Sequence, residues 1–492
     1  SCGFIVNRFF SPWLNEAVRL LDEKVASPAT IDAAAKQALG IGMGPFELMN
    51  VTGIPIAVHT ADTLGDAFGP LYATPPLMRT QFESGQPWDI SGEPDASAFA
   101  VVADRLAAIV FYVAGALVDE QVGSIEDTDI GARVGLRWRR GPFEQMNASG
   151  MARTAALVQT VADRWHVAVP ETIAARARTN EPFRFTLVTT AIADGIATLT
   201  INRPDALNAL NESVVEQLGT AFRAAATDPS VRGIVLAGSG KAFIAGADIR
   251  FFVKNIESKN LQAIARFTKT TQDLLLSIER CAKPVVARVR GLALGGGVEM
   301  ALACHYIVAT PAASFAFPET SIGIYPGLGG TQRTTRRVGT ALAKWLVLSG
   351  QTVSAEDALA IGLIDRVAQP DQLDDVIRAC VAAGPVRSRS PKAVPPGFQE
   401  IAGFFSRLDA AGLQTADAEG GDPRVASAVR RMRRHAPLAL RLAFELVDQG
   451  ETLPIEDGLA LEFSHLEEIF STADAYEGLS SVGRRPAVFK GA

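Results

Sequence analysis

Leu294-Gly295-Gly296-Gly297-Val298-Glu299 follows the apolar stretch Pro284 to Val289, and a second carboxylate stands in Phe317-Pro318-Glu319-Thr320, 319 − 299 = 20 residues on. Three successive glycines let a backbone approach a ligand closely, because no Cβ intervenes. A helix beginning at Val298, as the run Val298 to Ala303 predicts, would turn unpaired N–H groups and its positive dipole end toward developing negative charge. Glu299 would lie in its first turn, where desolvation raises a carboxyl pKa toward catalytic use. The stretch therefore predicts an acid/base pair beside an anion hole. A glycine-rich turn with an ordinary helix-start glutamate is the plainer alternative.

Two further small-residue bends flank it. Upstream, the apolar strand Gly233 to Ala237 runs through the turn Gly238-Ser239-Gly240 into Lys241-Ala242-Phe243-Ile244-Ala245-Gly246-Ala247-Asp248-Ile249. Downstream comes Gly323-Ile324-Tyr325-Pro326-Gly327-Leu328-Gly329-Gly330-Thr331-Gln332-Arg333. Around them, in order, stand Asn202-Arg203-Pro204, Ala206-Leu207-Asn208-Ala209-Leu210, Ser354-Ala355-Glu356-Asp357-Ala358 and Ile361-Gly362-Leu363-Ile364. On these motifs the stretch from about Phe185 to Val367 resembles the crotonase, or enoyl-CoA hydratase/isomerase, family.

The resemblance implies an α/β superhelix of ββα turns with a helical C-terminal region. It implies that the amides of Ala247 and Gly296 form an oxyanion hole for a thioester carbonyl. Glu299 and Glu319 would flank the substrate double bond, one activating water and the other managing the α-carbon proton. Gly327 would line the pocket near Glu319; Ala245, Asp248 and Ile249 would bracket the adenine end of CoA, with Ala206 a further substrate contact. Two glutamates favour reversible hydration of a trans-2-enoyl-CoA to a 3-hydroxyacyl-CoA in fatty-acid β-oxidation. A family isomerase usually keeps only the equivalent of Glu319, and a family hydrolase commonly has an acid at the position of Gly327. Arg290, where an Asn is common, and Asp205, where a Lys is common, depart from the hydratase pattern. Hydration itself implies no cofactor, CoA being part of the substrate.

The first 180 residues read differently. Gly44-Pro45-Phe46-Glu47-Leu48-Met49-Asn50 recurs as Gly141-Pro142-Phe143-Glu144-Gln145-Met146-Asn147, an offset of 141 − 44 = 97, and Ile31-Asp32 meets Thr128-Asp129 at the same offset. Helical spacing of Leu14, Ala17, Val18 and Leu21, and of Leu106, Ile109, Val110, Val113 and Leu117, predicts two small all-α units. Each Gly-Pro-Phe reads as a break followed by an N-terminal proline. With Gly3-Phe4-Ile5-Val6-Asn7-Arg8 and Met43-Gly44-Pro45-Phe46, this half resembles a duplicated C-terminal domain of 3-hydroxyacyl-CoA dehydrogenases. There the Asn matching Asn7 touches substrate beside a His of a preceding Rossmann domain. No Gly-x-Gly-x-x-Gly follows a strand here, so NAD enters only with a Rossmann domain supplied in addition. The expectation is a multidomain chain: helical repeats 1–96 and 97–182, crotonase core 183–375, and linker plus closing helices 376–492. A bifunctional hydratase/dehydrogenase lacking its Rossmann domain is expected. The alternatives are another crotonase activity, such as isomerisation, or a non-catalytic partner subunit for a separate NAD-binding domain.

Composition fits a multidomain enzyme: 492 residues, 48% hydrophobic, 20% charged. A net charge of −6 argues against nucleic-acid binding. Four scattered cysteines, Cys2, Cys281, Cys304 and Cys380, predict a reducing cytoplasm. The longest apolar stretch, Leu106 to Val118, predicts no membrane span. Five histidines lack ligand spacing, so no metal is expected. Partners are the acyl-CoA thioester and either a homo-oligomer or an NAD-binding dehydrogenase domain. Gly384-Pro385 to Pro391, Pro395-Pro396-Gly397 and Glu419 to Pro423 read as linkers or an insertion. Arg484 to Lys490 matches a basic tail that in relatives meets CoA phosphate, a solvated tail being the alternative. The cluster Arg430 to Arg434 carries the same two readings.

Overall fold

The computed structural model describes residues 5–386, 390–415, 417 and 421–491. Cys2, Gly3 and Phe4, Arg387 to Arg389 of the first Gly/Pro-rich stretch, and Glu419-Gly420 of the last lie outside the described residues. The chain divides into two units, Ser1–Thr186 and Leu187–Ala492.

The first unit is all-α among its described residues. Helix Ile5–Asp22 packs on helix Phe99–Asp119, and the apolar positions spaced for a helix bury as expected: Ala17, Val18, Val113 and Leu117 are wholly enclosed. The second helix extends beyond the apolar stretch seen in sequence. Ala96–Asp119, 24 residues, is long and apolar enough to cross a membrane, yet 56% of its apolar window is buried inside the unit, where it serves as the central core helix.

The duplication is written into the contacts. Asp32 accepts the Phe46 and Glu47 amides at 2.8 and 2.9 Å, and Asp129 accepts those of Phe143 and Glu144 at 2.8 and 2.9 Å. Each aspartate thus caps a helix that starts with proline, Pro45–Thr52 and Pro142–Ser149. Asn50 and Asn147 likewise each clamp a distant backbone, at Trp88 and Phe183. The repeats also exchange ion pairs. Arg8 bonds Glu120 at 2.9 Å and Arg105 bonds Glu23 at 2.8 Å, where 105 − 8 = 97 and 120 − 23 = 97. Such reciprocity is the signature of an isologous pairing, here built within one chain.

The second unit contains ten strands among its described residues: β1 (Val188–Ala193), β2 (Ile196–Ile201), β3 (Gly233–Gly238), β4 (Ala242–Ala245), β5 (Val285–Val289), β6 (Leu292–Leu294), β7 (Tyr306–Ala309), β8 (Ser314–Ala316), β9 (Val353–Ser354) and β10 (Arg366–Val367). One sheet runs β1-β2-β3-β5-β7-β10, antiparallel only between β1 and β2; the other runs β4-β6-β8-β9, antiparallel only between β8 and β9. Consecutive short strands therefore alternate between sheets, β3 then β4, β5 then β6, β7 then β8, with helices between the pairs. This is the expected ββα superhelix. The upstream bend Lys241 to Ile249 proves to be a strand, β4, over Ala242–Ala245.

The central strands are apolar throughout because both faces are covered. Ile234 and Leu236 of β3 join the main core, whereas Val235, with Val286 and Val308, packs against Leu373, Ile377 and Cys380 of helix Leu373–Ala383. The region after 376 is only in part a linker. Helices Gln399–Arg407, Pro423–Met432 and Pro437–Gly450 send Phe405, Val425 and Leu440 into the main core. Their amphipathic spacing was hidden between Gly- and Pro-rich breaks.

Candidate active site

The site grows from a register. β4 and β6 pair in parallel with Ala245 opposite Leu294. Two residues beyond each lie Ala247 and Gly296, so the chains leave the sheet with these residues side by side. A Cβ on Gly296 would come within 3.8 Å of the Gly246 carbonyl carbon. The bridge between Leu210 and Ala247 uses Leu210's own N–H and C=O, bonded to Gly246 and Asp248. In a parallel bridge that leaves the N–H of Ala247 facing away from Leu210. Gly296 opens helix Gly296–Leu302, whose first N–H groups have no partner within the helix. The helix starts two residues before the Val298 read from sequence, because Gly295 turns the chain at φ 49° and its carbonyl already accepts the Val298 and Glu299 amides.

Glu299 lies in the first turn of that helix and is buried. Its Oε1 accepts the amides of Leu328 and Gly330 at 2.7 and 2.8 Å. Glu319 opens the short 3-10 helix Glu319–Ile322, and its Oε1 lies against Gly295 while its Oε2 is buried without a hydrogen-bond partner. Burial pushes the Glu299 carboxyl up to about 7, opposed by its two amide donors and by Arg333. Glu319 is raised well above the ordinary range by burial and then by the Glu299 charge. The two amide donors favour the ionised form of Glu299, whereas burial and the Glu299 charge both push Glu319 toward its protonated form.

The supporting residues vary. Gly327 offers its carbonyl to Gln272 at 2.8 Å and directly precedes Leu328, so the hydrogen bonds tie its segment to Glu299. Ala206 ends the 3-10 turn Pro204–Ala206, and the Leu207 carbonyl accepts the Ala245 amide, which sets these two residues on neighbouring segments. Asp248 spends its carboxylate on structure: it caps helix Ile249–Glu257 and pairs with Arg203 at 3.1 Å and Arg250 at 2.9 Å. Ile249 packs against the main core. Arg484 is exposed. Arg431 of the basic cluster binds the Ser349 and Gly350 carbonyls at 2.8 Å, ending helix Thr340–Ser349 rather than presenting a free charge. Asn7 is half-buried on helix Ile5–Asp22 of the other unit, and its counterpart Asp104 pairs with Arg153 at 2.6 Å. No cluster of three or more potential metal ligands occurs among the described residues.

One carboxylate escaped the sequence reading. Glu462, on helix Ile455–Ser464, is wholly buried and accepts the Gly329 amide at 2.7 Å and the Thr331 hydroxyl. Burial and the Glu299 charge push it up to about 8. Its only sequence signal is a lone acid on an otherwise apolar helix face.

Comparison with known proteins relates both units to described families. Residues 191–390 match the enoyl-CoA hydratase/isomerase family model, and residues 3–94 match the 3-hydroxyacyl-CoA dehydrogenase C-terminal domain. A probable enoyl-CoA hydratase of Rhizobium meliloti is 34% identical over 60% of this chain and 94% of its own length. A crotonyl-CoA hydratase of Syntrophomonas wolfei is 41% identical over 40% of this chain and 75% of its own. The crystal structure of an enoyl-CoA hydratase from Rhodobacter sphaeroides superposes with a TM-score of 0.56 at 25% identity, covering 62% of this chain and 93% of that one.

Proposed function

The chain belongs to the enoyl-CoA hydratase/isomerase family, and on that premise we propose that it adds water reversibly to a trans-2-enoyl-CoA, giving a 3-hydroxyacyl-CoA. The observation that carries the reading is the pair of buried glutamates in unlike surroundings beside the Ala247 and Gly296 amides. Those amides receive the thioester oxygen as it becomes enolate-like. Ionised Glu299 takes a proton from the water that attacks the β-carbon, and protonated Glu319 delivers one to the α-carbon. The reaction is redox-neutral and consumes no nicotinamide. Buried, free Cys281 and Cys304 accord with a reducing cytoplasm. Incubation with crotonyl-CoA should give a product heavier by one water. Conversion of a 3-enoyl-CoA to its 2-enoyl isomer without mass change would favour isomerisation instead.

For the helical unit we infer a docking role toward a nicotinamide-binding domain, whether in the same polypeptide or another. Asp104, Arg140, Ala148 and Arg153 of the second repeat line one cavity, together with Ala35 and Gln37 to Gly40 of the first. Their counterparts at the 97-residue offset are Asn7, Met43, Val51 and Ile56, of which Met43, Val51 and Ile56 are exposed. The first repeat thus shows an apolar face where the second shows arginines, and exposed apolar faces mark interaction sites. Val51→Glu with Ile56→Glu should abolish co-elution with a separately expressed nicotinamide-binding domain of the same dehydrogenase family and leave hydration intact. Unchanged co-elution would contradict the role.

A further inference from the structure

Four consecutive residues hand their donors alternately to two buried carboxylates. The Leu328 and Gly330 amides go to Glu299, whereas the Gly329 amide and the Thr331 hydroxyl go to Glu462. Neither acid could hold the segment alone, since successive donors along it point to opposite sides. We propose that Glu462 is a positioning residue for Glu299: it fixes the segment whose two amides hold Oε1 of Glu299, and so sets how Glu299 meets the attacking water. This rests on the hydratase reading.

Glu462 is itself anchored for the task. Its backbone carbonyl accepts the Tyr325 hydroxyl, and the carbonyl of Leu459, one turn earlier, accepts from Gln272, which also holds Gly327. Both ends of the segment Gly327 to Thr331 are thereby tied to helix Ile455–Ser464. The ionisable groups facing Glu462 are Glu299, Arg333, Tyr325 and Arg336, the last bonded to the Gln332 and Leu453 carbonyls. Arg333 is already bonded to Glu279 at 2.9 Å and to the Leu328 carbonyl at 3.1 Å. A carboxylate at the start of helix Gly330–Val338 would stabilise that helix in any case, so the test must separate support from positioning.

The test is Glu462→Gln, with Thr331→Val as the milder variant. Displacing a reacting group by about 1 Å lowers turnover on the order of 10²-fold. Glu462→Gln should therefore lose about 10²-fold in kcat on crotonyl-CoA while KM stays within about twofold, and Thr331→Val should lose kcat in the same sense. Because Glu462 acts through Glu299, the double variant Glu299→Gln/Glu462→Gln should be no slower than Glu299→Gln. Hydrogen exchange of the Leu328 to Thr331 amides should accelerate in Glu462→Gln. Wild-type kcat in folded Glu462→Gln and Thr331→Val, or losses that multiply with Glu299→Gln, would overturn the proposal. Should the unaltered protein not hydrate enoyl-CoA, the function reading fails separately. The exchange measurement then decides the positioning, unchanged protection overturning it.

Discussion

Gly295 and Glu319 touch: a Cβ at residue 295 would overlap Oε1 of the glutamate. The glycine is also held at φ 49°, a left-handed backbone that side chains resist. The position thus couples the entry of helix Gly296–Leu302 to the placement of the proposed acid. Gly295→Ala should lower kcat by about 10²-fold and destabilise the protein by about 1–3 kcal/mol. Steady-state hydration and thermal melting read the two effects. Normal turnover in the variant would show that Glu319 does not depend on this contact.

Activity and stability should respond oppositely to pH. Glu299, Glu319 and Glu462 all have folded pKa values above the ordinary 4.5, Glu299 at about 7 and Glu462 at about 8. Between 4.5 and those values the folded protein holds protons that the unfolded chain has released. Their stabilising contribution is complete below 4.5 and lost as pH rises through 7 and 8. Proposed catalysis needs ionised Glu299, so kcat should fall as pH drops below about 7. Melting curves and pH–rate profiles from about pH 5 to 9 test both slopes. Glu462→Gln should flatten the stability slope.

The reciprocal ion pairs of the helical unit should be unequal in energy. Arg8→Met leaves behind Glu120, whose side chain is 44% exposed and readily hydrated. Arg105→Met takes an arginine from Glu23 and also from Glu16, whose side chain is 4% exposed and which among the described residues keeps Arg19 and Arg164 at 3.3 and 3.4 Å. Losses of about 1 kcal/mol and about 3 kcal/mol are expected. Denaturant unfolding of the two variants measures the difference, and equal losses would contradict it.

Much of this was legible in sequence where the information is local. The glycine run, the paired glutamates and the 97-residue repeat each declare themselves within a few residues, and so does the apolar strand Gly233 to Ala237. What stayed hidden depends on chain folding back from far away. Glu462 stands 462 − 299 = 163 residues from the acid it supports. Asp32 was visible as a repeated position, but its cap on a helix 14 residues later was not. Asp248 was read as a CoA contact from its motif, but its arginine partners, one of them 45 residues away, were not visible there. The helices Gln399–Arg407, Pro423–Met432 and Pro437–Gly450 were masked by the breaks between them.

The most direct test of the central claim is the rate of crotonyl-CoA hydration, followed by loss of conjugated-thioester absorbance, in the unaltered protein, Glu299→Gln and Glu319→Gln. The account predicts rapid loss in the first and a fall of at least about 10²-fold in each variant. Absence of hydration by the unaltered protein, or persistence of full activity in either variant, would contradict it.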